Sequence, residues 1–311
     1  MTLVVGGTGM VGSAIARHLH EAGRDVVIMA RRPEGPDDPR AVARLKRIVG
    51  DYLSPQAIGD QLDGIDSVVF AAGHDIRHVP ADVDTLELWE RVQGAAVPAF
   101  ARVARDAGVS RFVQIGSYYH QARPELRKLV PYVEGRARAD ERTRELSTDR
   151  FAAITLNPPS IVGVVPGRAA RRFARLISAL RGEGGASVVA PPGGTNYMTA
   201  DAVAQATLGA LEQGESGRAY LIGDENLTYR EYFQRFADAA RSAVRVEEHD
   251  EDSRWQPDRF IVQGRGQRIA YEPASGDVDL LGYQRGGLDQ ALETVVRLSD
   301  EAVREAAQSQ S

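Results

Sequence analysis

Leu3-Val4-Val5-Gly6-Gly7-Thr8-Gly9-Met10-Val11-Gly12 is the stretch whose reading decides the architecture. A short apolar, strand-like run passes into glycines at three-residue spacing. Beyond them Ile15, Ala16 and Leu19 recur at helical spacing before Gly23, which predicts a helix over 13–22. Strand, glycine turn and helix together make a phosphate-binding context: glycine permits the tight turn and lets the backbone approach a pyrophosphate, while the helix start offers N–H groups and partial positive charge. The plainer alternative, a tight turn that binds nothing, leaves three costly glycines without a reason. The stretch therefore predicts a dinucleotide held by Gly6, Thr8, Gly9, Met10, Val11 and Gly12.

Outward from this turn, short β-rich runs at 3–5, 26–30, 47–49, 67–72, 111–115 and 152–156 alternate with helix-like segments. That alternation predicts βαβ units in an α/β fold, a Rossmann-type doubly wound parallel sheet. After Asn157-Pro158-Pro159 the rhythm turns irregular, broken at Pro166-Gly167, 182–185 and 191–194. The expected organisation is an NAD(P)-binding Rossmann domain over 1–156 and a smaller, mixed substrate-binding or cap region over 157–311 that also completes the sheet. The acidic run 247–252 reads as a solvated connector, and 288–307 as a closing amphipathic helix.

Composition narrows the partners. Of 311 residues 43% are hydrophobic and 26% charged, as in an ordinary globular protein. A formal charge of -5 provides no basic field for nucleic acid or an anionic membrane. The absence of cysteine excludes disulfides, thiolate metal sites and a thiol nucleophile. No signal-peptide pattern and no run of about 20 apolar residues is present, which predicts a cytoplasmic protein acting on a small molecule.

Cofactor choice is read at the end of the second strand. Where an NAD-preferring site places an acidic residue on the ribose, the sequence has Ala30-Arg31-Arg32. Two guanidiniums suit a 2′-phosphate, so NADP(H) is expected over NAD(H), against the alternative of two exposed loop charges. Asp51 either accepts from the adenine amino group or caps a turn.

With the glycine turn, Gly50-Asp51 and Ala71-Ala72-Gly73 placed, the chain resembles the short-chain dehydrogenase/reductase superfamily, most of all its extended or atypical, NAD-dependent epimerase/dehydratase-like branch. Phe112-Val113-Gln114-Ile115-Gly116-Ser117 is similar to the strand carrying the catalytic serine of that branch, and Asn157-Pro158-Pro159-Ser160-Ile161-Val162-Gly163 to its loop into the substrate region. Asn196 to Asp201 and Leu281-Gly282-Tyr283 resemble later landmarks. The resemblance implies that Tyr52, Ala71, Ala72, Gly73, Asn157 and Pro158 also lie at the cofactor, and that relatives often pair as homodimers. It further implies a serine that holds the substrate oxygen, a tyrosine that moves the proton, and a lysine four residues later that lowers the tyrosine pKa. Ser117 and Tyr132 fit the first two roles. Arg136 stands at the third: it keeps the charge one helical turn away but replaces a compact ammonium with a planar fork. Arg91 and Asn157 are further departures, standing where many relatives carry asparagine and arginine.

Other candidates are weighed beside these. Tyr118 and Tyr119 supply either an alternative acid or a pocket wall. His74, Asp75 and His78 follow the fourth strand; their spacing invites a metal, but the segment reads as loop and no metal site is expected. His74 is either a substrate or acid–base contact or a loop histidine, and His120 has the same two readings. Arg168, Arg171, Arg172 and Arg175 form either a solvated face or an anion-binding one. The leading expectation is an NADP(H)-dependent oxidoreductase. A non-catalytic NADP(H)-binding regulator and a cofactor-assisted epimerase, dehydratase or isomerase without net redox change are the alternatives.

Overall fold

The structure is a computed structural model describing residues 1–35, 38–185 and 187–308. Two compact units are built from interleaved segments: the first from 1–159, 200–222 and 273–284, the second from 160–199, 223–272 and 285–311, described here to residue 308 without 186.

Strands β1 (Thr2–Val5), β2 (Val26–Ala30), β3 (Lys46–Val49), β4 (Ser67–Phe70), β5 (Arg111–Ile115) and β6 (Ala152–Asn157) form the first unit's sheet together with Ala219–Leu221. Every pairing is parallel, and the spatial order is Ala219–Leu221, β6, β5, β4, β1, β2, β3. Parallel strands need crossovers, and helices supply them. The order reverses at β1, beside β4, where doubly wound sheets open a ligand crevice at their carboxyl edge. The six strands read from sequence are present, with β4 ending two residues early; the seventh escaped notice because it is a three-residue element between Gly217 and Gly223.

One face of this sheet alternates Leu3 and Val5, Val27 and Met29, and Val68 and Phe70, with Phe112 alongside. They pack with Val97, Phe100, Ala101 and Ala104 of the helix Ala96–Asp106. Phe70 meets Phe100 at 5.4 Å and Phe112 at 6.0 Å between ring centroids. Each fully buried phenylalanine stabilises the fold by about 1.5–3 kcal/mol. The first helix spans Met10–Glu21, a turn earlier than its apolar spacing indicates, because the glycines themselves open it; Gly23, at φ +80°, follows its end. It packs on Ala200–Gln213, where Arg17 bonds Asp201 at 2.6 Å.

The helix Pro131–Arg144 starts with proline at its first position and lies against Leu86–Trp89 and the π-helical turn Glu90–Ala95. Gly135 makes this approach possible, since a Cβ there would sit 2.6 Å from Cβ of the fully buried Trp89.

In the second unit Gly194–Thr199 pairs antiparallel with Glu225–Thr228 and parallel with Ser160–Val162. Ile177, Leu180, Phe233, Phe236, Leu292 and Val295 join in its core. A complete capping box, Thr228 with Glu231, starts the helix Tyr229–Ala239. The closing helix runs Leu288–Gln308, one residue beyond the sequence reading. The acidic run is exposed, although Glu247–Glu248 pairs as a short strand with Val189–Ala190. Among the described residues no helix is long and apolar enough to cross a membrane.

Gly135→Ala should therefore cost about 1–3 kcal/mol in urea unfolding, the range for overpacking a filled core. Gly276→Ala, where nothing lies within 4 Å of the added carbon, should cost nothing measurable. Equal effects would mean that the Trp89 contact does not set the helix position.

Candidate active site

The glycine turn closes on main chain. Gly6 sits at φ +81°, and a Cβ on it would come 2.9 Å from the Ala72 backbone beyond β4; a Cβ on Gly12 would overlap the Gly6 carbonyl. Gly9 precedes the helix with no side-chain cap, and the first turn carries no acidic residue. The helix start thus has its partial positive charge and no carboxylate of its own turn to meet it, a cradle that fits a pyrophosphate. At the end of β2 both Arg31 and Arg32 are exposed and make no ion pair among the described residues. Arg47 of β3 is engaged instead, pairing Asp38 at 2.7 Å and donating to the Arg32 carbonyl at 3.3 Å.

The second half of the site is a stripe on the helix Pro131–Arg144. Tyr132, Arg136, Asp140 and Arg144 recur every four residues and so share one face. The Tyr132 phenol is buried, and the Ser117 side chain, buried as well, favours its ionised form. Its ring stands edge-on to Trp89 at 4.9 Å and to Tyr119 at 6.3 Å. Arg136 Nη2 donates to the carbonyls of Ile115, at 3.1 Å, and Gly116, while its buried Nε has no partner among the described residues. Asp140 accepts from His120 Nε2 at 2.8 Å, Asn157 Nδ2 at 3.1 Å and Arg144 Nε at 2.6 Å.

Burial pushes the Tyr132 phenol above its ordinary value; Arg136 pulls it down, Asp75 pushes it up, and Arg77 and the Ser117 hydroxyl pull it down. Burial wins, so the phenol is protonated at neutral pH. Asp140 goes the other way: burial opposes its charge, yet His120 and then Arg144 hold its carboxyl at about 2.

Several sequence candidates turn inward. Asn157 is fully buried; its Oδ1 accepts from Ser117 N–H at 2.8 Å, and its Nδ2 donates to Gln121 Oε1 at 2.9 Å as well as to Asp140. The Pro158 carbonyl accepts from Tyr118 N–H at 3.3 Å. Tyr52 is buried, donating to the Val92 carbonyl at 2.9 Å and meeting His74 Nδ1 at 2.9 Å. That single phenolic proton goes to Val92, so His74 Nδ1 carries the hydrogen of its own bond. Asp51 caps a turn by accepting from Leu53 N–H at 3.0 Å. Tyr118 is buried against Tyr119 at 4.2 Å, as a wall. Asp75 caps the short turn Ile76–His78 and pairs Arg77 at 2.7 Å; the His78 side chain lies outside the described residues, as does that of Arg168. In the second unit the guanidinium of Arg172 lies over the Phe173 ring at 4.7 Å.

Gln93 and Asp140 were not singled out in the sequence. Gln93, buried in the π-helical turn, donates to the His74 carbonyl at 3.0 Å, two positions after the exposed Arg91. Nothing in the sequence marks a π-turn, whereas Asp140 was visible as the next four-residue step after Tyr132 and Arg136.

Comparison with known proteins gives the family and the fold. Residues 2–223 match the sequence model of the NAD dependent epimerase/dehydratase family. Among curated proteins no sequence relative was found. Solved structures share the fold at low identity. UDP-glucose 4-epimerase from Bifidobacterium longum, in complex with NAD+ and UDP, superposes with a TM-score of 0.74 at 16% identity over 96% of this chain and 98% of its own. UDP-N-acetylglucosamine 4-epimerase from Bacillus cereus gives 0.71 at 16% over 96% and 98%. The DesIV double mutant, a dTDP-glucose 4,6-dehydratase from Streptomyces venezuelae with NAD and DAU bound, gives 0.73 at 18% over 97% of each chain.

Arg136→Met removes the cation that does most to favour the phenolate, so ionisation of Tyr132 should move upward, read by phenolate absorbance with Tyr132→Phe as the reference. An unchanged titration would leave the guanidinium only its two carbonyls.

Proposed function

Because the chain belongs to the NAD-dependent epimerase/dehydratase family, we propose that it is a nicotinamide-nucleotide enzyme that moves hydride to or from a carbon bearing an alcohol or carbonyl on a small molecule, and that it uses NADP(H) in preference to NAD(H). The observation that carries this reading is a buried Tyr132 phenol with Arg136 one turn along the same helix face, Arg136 being bonded to the two carbonyls that precede Ser117.

The glycine cradle would take the pyrophosphate on Gly6, Thr8, Gly9, Met10, Val11 and Gly12, and the buried, unpartnered Arg136 Nε is a donor awaiting an acceptor such as a ribose hydroxyl. The nicotinamide supplies the hydride acceptor or donor when bound. Ser117 Oγ, held through its own amide by Asn157, orients the reacting oxygen. Tyr132 Oη, protonated at neutral pH, gives its proton to a carbonyl oxygen during reduction; in the oxidative direction the phenolate takes the alcohol proton. Arg136 and Arg77 make that phenolate accessible against the cost of burial. The walls made by Trp89, Tyr118 and Tyr119 keep water from the phenol.

The preference for NADP(H) rests on Arg31 and Arg32, two exposed guanidiniums where a carboxylate would repel a 2′-phosphate. A second reading, in which the cofactor is restored within each turnover, is favoured by the family itself, whose description is epimerase and dehydratase.

Titration should show NADPH binding more tightly than NADH. Arg31→Ala or Arg32→Ala should weaken NADPH about tenfold or more and leave NADH within about twofold, since a charge-assisted hydrogen bond is worth about 1.5–3 kcal/mol. Failure to bind either nucleotide would sink hydride transfer altogether. On a panel of carbonyl compounds and nucleotide sugars, Tyr132→Phe should lower turnover about 10²- to 10⁴-fold. Oxidation should rise about tenfold per pH unit through neutral pH while reduction stays flat, because the phenolate fraction is small and growing throughout that range. Isomers formed without a change in nicotinamide absorbance would decide for the second reading; tight binding without product of either kind would leave a nucleotide-binding regulator.

A further inference from the structure

Beneath Ser117 and Tyr132 lies a buried cluster that the proposed chemistry does not itself use. Asp140, 1% exposed, receives three donors: His120 Nε2, Asn157 Nδ2 and Arg144 Nε. None of them is there by accident of solvent exposure, since His120 and Asn157 are also buried. The orientation of the Asn157 amide is fixed chemically. Its oxygen must face Ser117 N–H, so both of its N–H bonds point away, to Asp140 and to Gln121. Among the described residues the His120 ring bonds Asp140 through Nε2 while its buried Nδ1 has no partner; with the carboxyl ionised, Nε2 carries the hydrogen.

The loop holding Ser117 is thus tied to Asp140 by two routes, through Asn157 to Ser117 and Gln121, and through His120. Asp140 sits on the same helix face as Tyr132, two turns along. Glycine at 116 is required by the same arrangement, since a Cβ there would overlap Asn157 Oδ1.

We propose that Asp140 is a positioning residue, fixing Ser117 against the Tyr132 phenol by way of Asn157 and His120. The proposal rests on the reading of Ser117 and Tyr132 as the reacting pair. It is specific about the route: Asp140 acts on Tyr132 only through Ser117. A carboxylate is needed because three donors converge on it; an amide of the same shape would turn at least one of its own N–H bonds toward another donor.

The test is a double-mutant cycle read on Tyr132 itself, in the full chain with 13Cζ-labelled tyrosine, where Tyr132→Phe identifies one signal among ten. Asp140→Asn should move the Tyr132 signal at neutral pH in the same direction as Ser117→Ala does, and should move it no further when added to Ser117→Ala. Asn157→Ser cuts the same route at its middle and should reproduce the result, which keeps the test open if Asp140→Asn does not fold. A shift of equal size in the Ser117→Ala background would overturn the proposal, because Asp140 would then act along the helix. An unmoved signal in both folded variants would overturn it too. The readout uses neither nucleotide nor substrate, so its failure is distinct from failure of the hydride-transfer reading, which nucleotide titration decides.

Discussion

One helix face governs the first unit: Arg136, Asp140 and Arg144 all bond to groups that other elements present at fixed heights, and Tyr132 packs edge-on to Trp89. Arg136 takes the carbonyls of Ile115 and Gly116, Asp140 takes His120 and Asn157, and Arg144 reaches the Gly217 carbonyl at 3.1 Å. Polar groups drawn out of water must find partners, and a partly satisfied network is costlier than none. The helix cannot slide or turn without breaking several bonds at once. Beside that face Gly135 lets Trp89 close in, so the position is limited by sterics as well as by polarity.

Within that constraint the replacement of an expected lysine by Arg136 has a clear structural outcome. A flexible ammonium could swing between a phenol, a ribose and a carbonyl. The guanidinium is instead committed by one nitrogen to two main-chain oxygens at the end of β5, which keeps the charge beside Tyr132 and leaves little freedom to relay protons. Asn157, standing where arginine is frequent, is coherent with the same economy of charge: an amide can bond Ser117, Gln121 and Asp140 together, whereas a second guanidinium would crowd the one at Arg144.

The parallel sheet could be read from the sequence because most of its strands are short runs rich in β-branched and aromatic residues, with Lys46–Val49 at the edge the most polar, and the glycine turn identified which end matters. Ser117, Tyr132 and Arg136 were found by resemblance; spacing alone shows only that the last two share a helix face. What stayed hidden depends on long-range closure. The bonds of Asn157 to Ser117, Gln121 and Asp140, and of Tyr52 to Val92, have no mark in the sequence, because the partner of a polar side chain is set by tertiary packing and carries no local signature. Gln93 depends on a π-turn, and the interleaving of segments between the two units has no mark in composition at all.

The glycine turn closes on backbone and on missing carbons, with Gly6 against Ala72 and Gly12 against the Gly6 carbonyl. The glycines at its centre have no side chain to remove, so truncation can reach only Thr8, Met10 and Val11 beside them. What the glycines contribute shows only on addition: a single methyl group placed at Gly12 would drive into the Gly6 carbonyl and force the turn open.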